Sequence, residues 1–178
     1  MEVLEIIMEG IKYAIPAALV LITVKYMNDS NLKKQSLNQS MLVKDELLKQ
    51  HLPLRITAHE RALLYLERIS PQNLLMRMAP QGGLARDYQK QLLAEIRSEY
   101  EHNMVQQLYV SNPAWTALQQ ARDEMISIIN QAMAALHPEA HDLELAQQIV
   151  SECSKMKESK IHTAIFLLKK DVSSLFKL

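Results

Sequence analysis

The sequence predicts an all-α protein in three parts: a single N-terminal transmembrane helix over 3–27, a polar helical stalk over 28–51, and a cytoplasmic bundle of five to six helices over 52–178. Three observations lead there. Leu, Gln, Met, Ala, Glu and Lys fill the chain, while 178 residues hold only 3 Gly, 2 Phe and 1 Trp, too few turn and aromatic residues for an ordinary sheet. Beyond Pro53 the apolar residues recur at spacings of three and four, the period of helices with one buried face. Near the start, twelve residues between Lys12 and Lys25 carry no charge.

That uncharged run is shorter than the roughly 20 apolar residues a bilayer core requires. Val3, Leu4, Ile6, Ile7, Met8 and Ile11 extend it, at the cost of including Glu5, Glu9 and Lys12. Glu9 and Lys12 can face each other one helical turn apart, and Lys12 can snorkel toward the headgroups. Pro16 is tolerated in a membrane helix more readily than in a soluble one. A cleaved signal peptide fits poorly, because the start is acidic and no small-residue cleavage site follows. A buried core helix is the plainer alternative; length and flanks favour the span. No Lys or Arg precedes Gly10, whereas Lys25, Lys33, Lys34, Lys44 and Lys49 follow the run, so the N-terminus is expected outside and the remainder in the cytoplasm. The lone Cys153 agrees with a reducing compartment.

Residues 28–51 are polar, with sparse apolar positions and no Gly or Pro. A wholly helical stalk of this length reaches about 36 Å. Its Asn, Ser and Gln content favours fraying, its heptads are too broken for a coiled coil, and Pro53 is expected to end it.

The prolines that follow punctuate the bundle. Leu54–Ile69 is apolar around most of its circumference, which predicts a central helix. Ser70 and Pro71 read as the cap and first position of a short helix ending near Met78. APQGG, from Ala79 to Gly83, is a loop. Leu84 to about Tyr109 is expected to form one long helix whose stripe, through Leu92, Ile96, Met104 and Leu108, steps by four and so drifts about 40° per step. Asn112 and Pro113 start the next helix, with Leu118, Met125, Ile129 and Leu136 inside. Asp142 is expected to cap a helix bearing Leu143, Ile149, Cys153 and Met156, and Ile161, Ile165, Leu168, Val172 and Leu175 mark the last. Five or six such helices suffice for one core.

Candidate structural or interaction residues are Arg55, Glu60, Arg61, Glu67, Arg68 and Arg77, charges on or beside the apolar helix. Glu60, Leu64, Glu67 and Arg68 share one side, while Arg55 and His59 fall among Leu52, Ile56, Leu63 and Leu66. They form either a recognition surface or ion pairs between helices; the second is expected, since buried charges are normally paired. His59 has no Ser, Cys or carboxylate placed by sequence to complete a triad, and reads as a satisfied core histidine. His137 and His141 stand four apart, but Pro138 breaks the helix they would need and no third ligand is near, so no metal site is expected. Cys153 and the methionines Met104, Met125 and Met156 read as core filling.

The stretch LPLRITAHERALLYLERISPQNLLMR, Leu52 to Arg77, resembles the signature of an uncharacterised bacterial family of small proteins with one N-terminal membrane helix and a helical cytoplasmic domain. Leu52, Pro53, Leu54, Arg55, Glu60, Arg61, Leu66, Glu67, Arg68, Ile69, Ser70 and Pro71 match the motif LPLRxxAxERxxLxLERISPxxLLxR. The resemblance extends through SNPAW, Ser111 to Trp115, to AIFLLKKDVSSLF, Ala164 to Phe176. An aromatic is common in that pattern where this chain has His59, which counts against catalysis there. The resemblance implies the architecture and leaves the function open.

The expected function is therefore a membrane-anchored interaction or scaffold module at the bacterial inner membrane. It is not expected to be an enzyme, and no cofactor, metal or small-molecule substrate is expected. Twenty basic against twenty acidic residues, with no basic block, argue against nucleic acid. A protein partner or a second copy is expected. The alternative is a regulatory or assembly subunit whose anchor packs through Ala14, Ala17 and Ala18.

Overall fold

A computed structural model describes residues 19–21, 23–28, 39, 46 and 49–176. The chain divides into two compact units, Met1–Gln50 and His51–Leu178. In the first, residues 19–21 and 23–28 are helical and exposed. Most of the predicted span over 3–27 and of the stalk over 28–51 lies outside the described residues. No helix among the described residues is long and apolar enough to cross a membrane.

Residues 49–69 are helical without a break (α1), so Pro53 does not end the segment as the sequence predicts. Proline removes one backbone donor, and the helix continues because its next turns bury Ala58, Ala62, Tyr65, Leu66 and Ile69. This burial is one-sided: Leu54 and Leu64 stay 49% and 57% exposed, so the helix is not the all-round core element its composition suggested. Helix α1 closes at Glu67, whose carbonyl accepts bonds from the Ser70 hydroxyl at 2.7 Å and the Asn73 amide at 2.9 Å. Pro71 then opens α2, Pro71–Arg77, with Ser70 as its cap residue.

Helix α3, Ala85–Asn103, buries Ala85, Tyr88, Leu92 and Ile96. It does not run to Tyr109. The backbone tightens into a 3-10 helix, Met104–Leu108, none of whose residues is buried. The drift of the four-residue stripe accounts for this, since after Ile96 and Tyr100 it has turned away from the core. Met104 is accordingly 45% exposed and not core filling.

Helix α4, Asn112–Ala134, is the central element. It buries nine residues, Leu118, Met125 and Ile129 among them, and packs against α3, α5 and α6. Helix α5, Asp142–Lys155, is capped by His141 and not by Asp142: the His141 amide donates to Glu144 Oε1 at 3.0 Å, while Asp142 occupies the first helical position. Met156 follows the helix end and is 36% exposed, so it too leaves the core list. Helix α6, Lys160–Leu175, buries Ile161, Ala164 and Leu168 and is capped by the Ser159 hydroxyl, which accepts from the Ile161 amide. The described residues contain no strand; one antiparallel bridge joins Leu84 to His141.

Candidate functional site

Three clusters of ionisable groups join the helices. The first lies at the seam of α1 and α6. His59, 3% exposed, has Nδ1 2.6 Å from the Arg55 carbonyl oxygen and Nε2 2.8 Å from Asp171 Oδ2. The same carboxylate oxygen accepts from the Ser111 amide at 2.8 Å, just before α4. Burial raises the Asp171 pKa, but the hydrogen bonds from His59 and Ser111 outweigh it and hold the carboxyl below its ordinary range. Asp171 is therefore ionised. A groove of about 510 Å³ lies along this seam, with Ile56, Leu63, Leu168 and Val172 as apolar walls and Glu60 and Lys169 at its edges.

The second cluster joins α1 and α2 to α3. Arg68 Nε donates to Glu99 Oε1 at 2.6 Å, and Arg77 Nη1 donates to Glu95 Oε1 at 2.8 Å. Arg77 also donates to the Arg68 carbonyl at 3.2 Å and lies 3.7 Å from Glu99 Oε1. The bond from Arg77 holds Glu95 below the usual carboxylate range, against the opposing effect of burial.

The third is a clasp. Asp142 Oδ2 accepts the successive amides of Gln81, Gly82 and Gly83 at 2.7, 2.8 and 2.9 Å, and Oδ1 accepts the amide of Leu143. Gly82 supplies the left-handed backbone, φ +89°, that turns three consecutive N–H groups toward one oxygen. The amide of Gly83 first, then burial in opposition, then the other amides leave the Asp142 carboxyl with a lowered pKa.

Of the residues singled out from sequence, Arg68 and Arg77 come together. Arg55 is half-buried and contributes its carbonyl to His59, whereas Glu60, Arg61 and Glu67 have exposed side chains and enter no ion pair among the described residues. Sequence reasoning missed the partners Glu95, Glu99 and Asp171. Glu95 and Glu99 stand four apart beside the Leu92–Ile96 stripe, and Asp171 is the sole acidic residue of α6; those were the available signals.

These groups join segments of the fold to one another. In a Ser-His-Asp triad the imidazole sits between nucleophile and carboxylate. Here Asp171 sits between His59 and Ser111, and both ring nitrogens are engaged. A larger cleft of about 630 Å³, beside the loop from α5 to α6, includes Cys153, Met125, Ile128 and Phe166. Burial first, then Glu124 and Glu152, push the Cys153 thiol up, which keeps it protonated and weakly nucleophilic. No group of three potential metal ligands occurs among the described residues.

One family model, described as a family of unknown function (DUF7935), matches residues 5–175. No curated protein and no solved structure matches the chain.

Proposed function

The chain belongs to the DUF7935 family of unknown function, and from that premise we propose that it is a membrane-anchored helical interaction module working at the cytoplasmic face of a bacterial inner membrane. The observation that carries the anchor is the helix over 19–21 and 23–28. Leu19, Val20, Leu21, Val24, Tyr26 and Met27 are each at least 57% exposed, and the Thr23 hydroxyl donates to the Leu19 carbonyl at 2.7 Å. Apolar side chains facing outward, with the polar atom satisfied inside the helix, suit hydrocarbon better than water. The lysines that follow the run, against no Lys or Arg before Gly10, support an inward C-terminal domain.

The reading as an interaction module is supported by the 3-10 helix Met104–Leu108. Residues three apart eclipse in such a helix, so Val105 and Leu108, 60% and 74% exposed, form one apolar ridge outside the core. His59, Asp142, Glu95 and Glu99 are meanwhile engaged in holding helices together.

The test is carbonate extraction of membranes holding the full chain, with a C-terminal tag probed in intact cells. The chain is expected to stay in the pellet with its tag protected. Release by carbonate overturns the anchor, and an accessible tag overturns the orientation. Crosslinking in the same membranes tests the ridge: Val105→Lys with Leu108→Lys is expected to abolish an adduct that the unaltered chain forms. An adduct undiminished by the double substitution refutes the role given to this segment.

A further inference from the structure

We propose that the apolar groove between α1 and α6 seats a second copy of this chain, in a dimer whose two-fold axis runs along the groove. The groove encloses about 510 Å³. Ile56 and Leu63 wall it on α1, Leu168 and Val172 wall it on α6, and each helix adds one charged residue, Glu60 on α1 and Lys169 on α6. Of the four apolar residues only Leu168 is buried; the other three are half-buried and keep part of their surface open. By helical spacing the apolar stripes run on beyond the groove, to half-buried Leu52 four residues before Ile56 and to Phe176 four residues after Val172, 60% exposed. An apolar centre with charges at its margin matches the anatomy of a protein interface.

The two charges point to the occupant. Glu60 and Lys169 are exposed, and neither enters an ion pair among the described residues. A two-fold axis along the groove lays α1 of one protomer over α6 of its partner. Glu60 then meets the partner's Lys169, and Lys169 meets the partner's Glu60. One contact forms twice and leaves no charge over. The same rotation lays the apolar wall of α1 on the apolar wall of α6. A two-fold axis across the groove would instead set α1 on α1 and Glu60 opposite Glu60, which like-charge repulsion opposes. Opposite signs on the two helices therefore select the first axis.

Exposed charge pairs add little affinity, so the apolar centre holds the dimer and the charges fix its register. An anionic lipid surface calls for a basic face, whereas this groove carries one charge of each sign. The groove includes neither Val105 nor Leu108, and the inference is independent of that ridge and of the anchor.

Sedimentation of the full chain in mild detergent tests the proposal, with the two charges reversed singly. The unaltered chain is expected to dimerise in the micromolar range. Glu60→Lys sets lysine against lysine and Lys169→Glu sets glutamate against glutamate, twice in each dimer. Each variant alone is expected to weaken the dimer at least about tenfold. Mixed in equal amounts, the two variants are expected to recover it, because the mixed pair restores both opposite-charge contacts. An ion pair within one chain cannot produce that recovery. Zero-length carbodiimide coupling of light and nitrogen-15-labelled unaltered chain needs no variant, and is expected to join Glu60 to Lys169 in hybrid peptides. A chain that stays monomeric throughout the micromolar range overturns the proposal, as does the absence of hybrid peptides. A dimer that neither reversal weakens, as association through the anchor alone would give, overturns it too, and so does a mixture no tighter than its components. A monomer whose groove crosslinks to a different protein assigns the surface to that protein and overturns the second copy as occupant.

Discussion

Arg68 on α1 and Glu99 on α3 meet at 2.6 Å across 31 residues of sequence, and Glu99 also has the Arg77 guanidinium of α2 within 3.7 Å. One carboxylate thus serves two cations on two helices. The Arg68 side chain is 40% exposed, so the pair is partly screened, and exposed pairs contribute about 0.2 to 1 kcal/mol. Arg68→Ala is expected to cost about 1 kcal/mol. Arg61→Ala, on the exposed face, is expected to stay within about 0.5 kcal/mol. Urea midpoints of the two variants check this; a larger loss for Arg61 than for Arg68 contradicts the assignment.

How far the sequence reveals this network is set by physical range. Ser70, Pro71, Asn112 and Pro113 act within one or two turns of themselves, and the helix starts they signal are present. His59 as a satisfied buried histidine is equally legible, because an apolar face forces its polar atoms to find partners. Which carboxylate answers is not: Asp171 lies 112 residues away, and only the packing of α6 brings it there. The turn of the α3 stripe was visible as a drift of four-residue spacing, but where the helix gives way at Met104 depends on when the core runs out of surface to cover.

The unit His51–Leu178 carries its own core, with α4 buried against α3, α5 and α6. Expressed alone, residues 51–178 are expected to unfold cooperatively in a circular-dichroism melt, since the amphipathic faces cover one another. A broad, non-cooperative transition would show that the first unit supplies part of the stabilisation.

The Asp142 clasp predicts an acid-sensitive loop. A carboxyl whose pKa is lowered by folding contributes stability above its unfolded value, about pH 3.9, and that contribution is lost as pH falls through the lower folded value. Amides 81–83 are therefore expected to lose exchange protection on acidification before the amides of α4. In Asp142→Ala they are expected to be unprotected at every pH. Gly82→Ala tests the backbone side: nothing lies within 4 Å of the added methyl, so its cost of about 1 to 2 kcal/mol reflects the left-handed φ alone.

Tyr65 supplies the least intuitive expectation. Its ring is fully buried and meets Tyr100 edge to face at 6.1 Å between centroids, and Tyr100 in turn lies under the Arg122 guanidinium at 4.3 Å. The Tyr65 hydroxyl has no hydrogen-bond partner among the described residues. Burial raises its pKa well above the ordinary phenol, with Arg122 acting in the other direction, so it stays neutral. A buried donor left without a partner costs about 1 to 3 kcal/mol of desolvation, whereas the ring packing belongs to the carbons. Tyr65→Phe is accordingly expected to leave the fold intact and raise its stability by about 1 kcal/mol. Tyr100→Phe is the contrast: it removes the oxygen that accepts from Gln119 Nε2 at 3.2 Å, and is expected to lower stability by about 0.5 to 1.5 kcal/mol. Paired urea melts read both signs, and a destabilised Tyr65→Phe would mean that the hydroxyl has a partner in solution and that this part of the core is polar.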